Sequence, residues 1–282
     1  MKILLDWYIE NKRDLPWRKT NAWGVLVSEF MLQQTPVSRV IPKWHEWMER
    51  WTTPSSLADA KKSDVLKAWD RLGYPRRALR LHESAKIICE KFDGEVPRER
   101  EDLLSLPGVG AYTAGAIAAF AFGEPSLVLD INIRRFYARF YDGQPAPTNH
   151  ISQVEQRIRT DLIPKSDGAL WAAATMEFGA LVCTAKSPQC EICLLSKNCE
   201  WRKAGYPGGE SNPRKQAKFE GSDRQCRGVV LSHLRQKRYV TYRVLTHEWH
   251  DHSQLERALK TLIADGLIEA TGNKKSYRLV RG

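Results

Sequence analysis

Four of the six cysteines, Cys183, Cys190, Cys193 and Cys199, fall within seventeen residues at a C-x6-C-x2-C-x5-C spacing. Cysteines in such a chain read as metal ligands or buried hydrophobes, and four bunched in one loop favour a metal over coincidence. The opening stretch MKILLDWYIENKRDLPW lacks a basic segment followed by a long apolar run, so the chain reads as cytosolic and a disulfide framework is disfavoured. Zinc sites usually show two close cysteine pairs, and here only Cys190 and Cys193 form one. Bunched thiolates suit a [4Fe–4S] cube, whose irons each take one cysteine. The spacing favours the cube and leaves zinc open. Cys89 and Cys226 stand alone in helical segments and read as buried small hydrophobes.

Residues 1–200 show apolar positions at helical spacing, such as Leu32, Val37, Val40 and Ile41, then Val65, Leu66, Trp69 and Leu72. Breaks at Thr53-Pro54, Gly73-Tyr74-Pro75 and Gly94–Pro97 separate segments of helix length, so this part is expected to be all-helical. Residues 204–222 are rich in Gly, Pro, Ser and charge and read as a linker. Beyond it, helices over Gln225–Arg235 and Gln254–Ile263, then alternation over Leu267–Ala270 and Ser276–Val280 around Thr271-Gly272-Asn273, predict a winged-helix-like module at 223–282. No apolar run reaches the roughly eighteen residues of a membrane span.

The formal charge of +11 is uneven: up to residue 201 there are 27 basic and 25 acidic residues, and beyond it 17 and 8. The tail therefore carries +9 of the excess. Basic proteins of this kind meet polyanions, though charge alone does not say which.

Leu106-Pro107-Gly108-Val109-Gly110 joins a helical segment to the apolar stretch Ala114–Phe122. Two glycines permit a tight turn and leave backbone N–H groups open at the next helix start, a phosphate-binding arrangement. A plain turn between helices has the same look.

With Leu15-Pro16-Trp17-Arg18, Ser28–Thr35, the Leu106–Ala114 hairpin and the cysteine spacing in this order, residues 4–203 resemble the helix-hairpin-helix DNA glycosylases. Within that family they resemble the adenine-excising branch, and the short tail resembles its actinobacterial members. The resemblance implies a mainly α, two-lobed fold over 1–203, with a six-helix lobe at about 23–128 and a cluster lobe at 1–22 and 129–203. It also implies a [4Fe–4S] cluster on the four cysteines, double-stranded DNA as partner, and excision of adenine mispaired with 8-oxoguanine or guanine. A monomer in the bacterial cytoplasm is expected.

The chemistry itself asks for two acids. The nucleotide must be evicted from the stack, and cleavage then develops positive charge on the sugar and negative charge on the base. By resemblance Glu29 is the general acid, and its apolar flanks would raise its pKa and keep a proton available. A capping role near a helix start is the alternative for Glu29. By resemblance Asp130, with Asn132 beside it, stabilises the sugar cation; an Asp at a helix start also serves as N-cap. Relatives that cut the strand carry Lys where this chain has Tyr112, and a phenol cannot form a Schiff base. Hydrolysis without efficient strand cleavage follows.

Gln33, Gln34 and Tyr74 match positions that fill the evacuated stack and contact the opposite base, and Leu106, Gly108, Val109 and Gly110 form the DNA-binding hairpin. Leu15, Trp17 and Arg18 match walls of the base pocket. The chain departs from the family pattern at Pro75, usually a second Tyr, at Ile131, often Gly, and at Ala173, where relatives carry Gln or Glu. No Nudix-like C-terminal domain is recognisable. A thymine–guanine mismatch glycosylase and a non-enzymatic iron–sulfur DNA-binding regulator are the competing readings.

Overall fold

The computed structural model describes residues 2–208, 218–272 and 275–281. In chain order, helices α1 (Lys2–Asn11), α2 (Ala22–Leu32), α3 (Val37–Arg50), α4 (Pro54–Ala58), α5 (Lys62–Trp69) and α6 (Arg76–Lys91) come first. They are followed by α7 (Arg100–Ser105), α8 (Ala111–Phe122), α9 (Ile131–Phe140), α10 (Gln153–Thr160), α11 (Gly168–Leu181) and α12 (Glu200–Lys203). The chain is mainly helical, as its periodicity predicts. Its breaks fall where expected: Thr53 caps α4 in a reciprocal box with Ser56, and Gly73 (φ 82°) precedes α6. Among the described residues no helix is long and apolar enough to cross a membrane.

The tail contains α13 (Asp223–Gln236), β1 (Val240–Thr241), α14 (Tyr242–Glu248), α15 (His252–Ala264), β2 (Ile268–Thr271) and β3 (Ser276–Leu279). The strands pair antiparallel in the order β1-β3-β2, with Val240 opposite Tyr277 and Ile268 opposite Leu279. This is a winged-helix arrangement. The first strand and α14 add to the expected helices and hairpin; β1 is too short for alternation to reveal. Residues 209–217 of the linker and Asn273 of the hairpin turn lie outside the described residues.

Two compact units divide the chain. One comprises the described parts of Met1–Glu29, Pro97–Ser105 and Val109–Pro213. Its core gathers Leu4 and Tyr8 of α1, Ala116 and Ala119 of α8, Phe136 and Tyr137 of α9, and Trp171 and Phe178 of α11. Gly115 lets α8 lie against the Leu127 carbonyl, since a Cβ there would meet that oxygen at 2.3 Å. The other unit comprises the described parts of Phe30–Val96, Leu106–Gly108 and Arg214–Gly282. Trp47 is its aromatic centre, with ring centroids 4.5 Å from Trp51 and 5.6 Å from Trp69. The winged helix belongs to this unit, where Arg235 of α13 donates to the Leu66 carbonyl of α5 at 3.3 Å. Cys226 is buried in the tail core, whereas Cys89 is only half-buried.

Candidate active site and metal centre

Glu29 sits in the second half of α2, between apolar residues that drive the helix into the interior, and is 5% exposed. This position is far from the helix start, so a capping role is absent. Burial pushes its carboxyl up from 4.5 to about 7; a hydrogen bond with Tyr112 opposes the shift and the charge of Asp130 adds to it. Its Oε2 is buried without a hydrogen-bond partner. Tyr112, in the first turn of α8, is half-buried, and burial beside the two carboxylates raises its phenol well above the ordinary value.

Asp130 is the N-cap of α9, its Oδ1 accepting from the Ile133 N–H at 2.7 Å and its Oδ2 from Asn132 Nδ2 at 2.7 Å. Burial raises its pKa, and these hydrogen bonds together with the Arg135 charge restrain the rise. The structure thus brings Glu29, Tyr112, Asp130 and Asn132 together. It also supplies supports that the motifs did not mark. Arg135 donates to Asn132 Oδ1 at 2.9 Å, to the Cys183 carbonyl at 2.8 Å and to the Gly179 carbonyl. Gly179 is required there, because a Cβ would stand 2.6 Å from the Asn132 carbonyl oxygen.

Of the expected pocket residues, Leu15 is buried and Trp17 half-buried. Arg18 turns onto Glu177 at 3.1 Å and onto the Arg13 carbonyl at 2.6 Å. Arg13 reaches the same carboxylate through its backbone N–H at 2.7 Å and through Nη2 at 2.6 Å. Burial alone would raise Glu177, but these bonds outweigh it and leave its pKa at about 2. An acid alone in the apolar segment GALWAAATMEFGAL carried the same signal that marks Glu29, and would have found it.

The four cysteines lie close enough to act on one another electrostatically. Among the described residues no three His, Cys, Asp or Glu side chains are grouped to hold a single ion. Arg139 is buried against the loop, donating to the Thr184 carbonyl at 2.7 Å, lying 3.6 Å from Cys183 Sγ and stacking on Trp201 at 4.5 Å. Burial raises the thiols of Cys183 and Cys193, and the guanidinium of Arg139 counteracts this at Cys183. Thiolates of Cys183, Cys190, Cys193 and Cys199 with adjacent arginines fit an anionic iron–sulfur cluster.

In the other unit, Arg77 is a buried hub. It donates to the carbonyls of Phe30 (2.9 Å), Met31 (3.1 Å), Leu72 (3.1 Å) and Gly73 (3.0 Å) and to Thr35 Oγ1 (3.0 Å). It therefore fastens the loop carrying Gln33 and Gln34 to the turn carrying Tyr74. Gln34 and Tyr74 both have positive φ, 56° and 45°, and both are exposed. Gln33 Nε2 donates to the Gly108 carbonyl at 3.4 Å. Gly108 needs φ 89°, and a Cβ would meet Phe30 at 2.8 Å. Leu106 is buried in this unit; Val109, also buried, and Gly110, which precedes α8 as an N-cap without a side-chain bond, belong to the first unit.

Residues 27–160 match the HhH-GPD superfamily base excision DNA repair proteins, and residues 183–199 match the iron–sulfur binding domain of endonuclease III. An adenine DNA glycosylase of Mycolicibacterium smegmatis is 49% identical over 277 residues, covering 96% of this chain and 92% of the relative. Among solved structures, a thermostable thymine-DNA glycosylase superposes with a TM-score of 0.67 at 28% identity, over 72% of this chain and 94% of the other. A trapped endonuclease III–DNA covalent intermediate gives 0.62 at 25% identity, over 72% and 94%.

Proposed function

The chain belongs to the adenine DNA glycosylases of the HhH-GPD base excision repair superfamily, and from that membership we propose that it hydrolyses the N-glycosidic bond of adenine mispaired with 8-oxoguanine or guanine in duplex DNA. The observation that carries the chemistry is the buried Glu29 carboxyl with one unpartnered oxygen. With a pKa of about 7 it keeps a proton at neutral pH, and Oε2 is free to give it to the departing adenine. The bond from the base nitrogen to C1′ then breaks with the electron pair leaving on a neutral base. Asp130 accepts hydrogen bonds at both oxygens, which favour its anionic form beside the developing sugar cation. Water adds to C1′ and gives up a proton that restores the Glu29 acid, which closes the reaction.

Tyr112 offers a hydroxyl to Glu29 and no amine to the sugar, so the product is an intact strand with an abasic site. Gln33, Gln34 and Tyr74 are assigned to the vacated stack, the hairpin Leu106–Gly110 to backbone phosphates, and Leu15 and Trp17 to the base pocket. Arg18 supports that pocket from behind through Glu177. When bound, the cluster ties residues 183–199 into one rigid piece. The enzyme acts as a monomer in the cytoplasm, with 1–203 as catalytic core, 204–222 as linker and 223–282 as C-terminal module.

Single-turnover assays on A:8-oxoguanine, A:G, A:C and T:G duplexes, with and without alkali, test this. Excision from the first two, strand breaks only after alkali, and loss of activity in Glu29→Gln and Asp130→Asn are expected. Reaction of T:G alone would overturn the adenine reading, and breaks without alkali would overturn the role of Tyr112. Colourless protein containing zinc in place of iron and acid-labile sulfide would overturn the cluster.

A further inference from the structure

The winged helix contributes side chains to a cavity that also holds Gln33, Gln34 and Tyr74. This cavity, of about 350 Å³, is lined on one wall by Arg227 of α13 and by Asp265, just after α15, and on the other by Arg76 and Arg80 of α6. Asp265 is the junction: its Oδ2 accepts from Arg227 Nη2 at 2.6 Å and its Oδ1 lies 3.2 Å from Arg76 Nη1. Thr261 Oγ1 accepts from the second Arg227 amine at 2.6 Å. Two guanidinium groups are therefore fixed side by side on a single carboxylate, leaving one positive charge uncompensated. Arg80 adds another, with no ion pair among the described residues.

Three further observations say what this charge faces. Gln34 and Tyr74 line the cavity with positive φ at non-glycine residues, strain that concentrates where a ligand is gripped. The cavity adjoins the hairpin through two of its lining residues, because Arg80 lies beside Gly108 and Gln33 donates to the Gly108 carbonyl. The tail that supplies Arg227 carries most of the net charge. Forked guanidinium donors match the tetrahedral oxygens of a phosphodiester, and anchoring one edge of each fork leaves the other to bind.

We propose that Arg227 and Arg76, paired by Asp265, clamp a backbone phosphate of the strand opposite the excised adenine, which makes the C-terminal module part of the DNA-binding surface. The inference rests on the glycosylase reading for the identity of the strand.

The test uses the full-length protein and duplexes with a non-hydrolysable adenosine analogue opposite guanine, in which single phosphates of the opposite strand are replaced by neutral methylphosphonates. At one or two positions the replacement weakens wild-type binding about five- to tenfold, and in Arg227→Gln the same replacement costs little more. The slope of log affinity against log salt falls by about 0.9 in this variant and is kept in Arg227→Lys. Arg76→Gln, whose side chain is 57% exposed, shows the same coupling. Arg257→Gln, which removes a tail charge outside the cavity, keeps the wild-type methylphosphonate profile. Independent, multiplying losses at every position, or wild-type binding by Arg227→Gln, would overturn the clamp. Failure of wild-type protein to excise adenine from a cleavable duplex would instead overturn the glycosylase reading and leave the coupling result standing.

Discussion

Replacing Glu29 with glutamine should make the protein more stable above neutral pH while abolishing excision. The carboxyl is 5% exposed, and burial, chiefly, raises its pKa from 4.5 to about 7. Between these two values the folded chain holds a proton that the unfolded chain has released, so wild-type stability falls as pH rises from 4.5 to 7 and levels off above. That interval corresponds to about 3 kcal/mol. Glutamine keeps the shape and does not titrate. Urea unfolding should therefore show Glu29→Gln ahead by about 2–3 kcal/mol at pH 8, an advantage that shrinks to a few tenths near pH 4.5. A difference independent of pH, or a less stable variant at pH 8, would refute the claim that Glu29 is held protonated by desolvation.

Tyr112→Phe removes a hydrogen bond that lowers the Glu29 pKa, so the alkaline limb of the single-turnover pH–rate profile, at about 7 in the wild type, should move upward. Gly179→Ala drives a Cβ to 2.6 Å from the Asn132 carbonyl; excision should drop about ten- to a hundredfold, with about 1–3 kcal/mol lost in stability. Glu177→Gln leaves Arg13 and Arg18 without their shared carboxylate and should cost about 3 kcal/mol at pH 7. Because the folded pKa is about 2, that contribution is present above 4.5 and disappears as pH falls toward 2, which acid denaturation would show as convergence with wild type. Arg77→Lys cannot reproduce five or more fork-directed hydrogen bonds; affinity for duplex DNA should fall along with thermal stability.

What could be seen in the sequence follows from what is local. The expected helices, the hairpin glycines and the two strands of the tail hairpin are written in spacing over a few residues and are found close to where the pattern puts them, whereas β1 and α14 are too short to show one. The Glu29–Tyr112–Asp130 contact joins segments far apart in the chain, so no periodicity displays it; only the likeness of the flanking motifs brought these residues together. Arg135 and Arg139 are four apart and thus on one face of α9, a signal that points two charges at one target, but the target is a loop over forty residues away. Arg18 carried a pocket assignment because it ends the Leu15–Arg18 block, yet the deciding partner, Glu177, lies 159 residues on. The sharing of one unit by the tail and residues 30–96 was hidden for the same reason: charge asymmetry marked the module as separate, and nothing in composition records that Arg227 and Arg76 meet on Asp265.

On the proposed assignment, the two carboxylates let one interior hold an acid and an anion together. Both are pushed toward the protonated state by burial, so burial cannot separate their roles. Hydrogen bonding does. Asp130 accepts at each oxygen, from a backbone N–H and from an amide that Arg135 holds in place, and every such donor favours the charged form. Glu29 receives a bond from Tyr112, while its other oxygen has none. On the proposed assignment, a negative charge on Asp130 raises Glu29 further, so ionisation of one carboxylate favours the proton on the other. Each support of Asp130 is thereby also a support of the acid, and weakening Arg135 or Asn132 should disturb protonation at Glu29 without touching it. The division of labour is set by which oxygens find donors, and those donors are fixed by α9 and by the loop that carries the cluster cysteines.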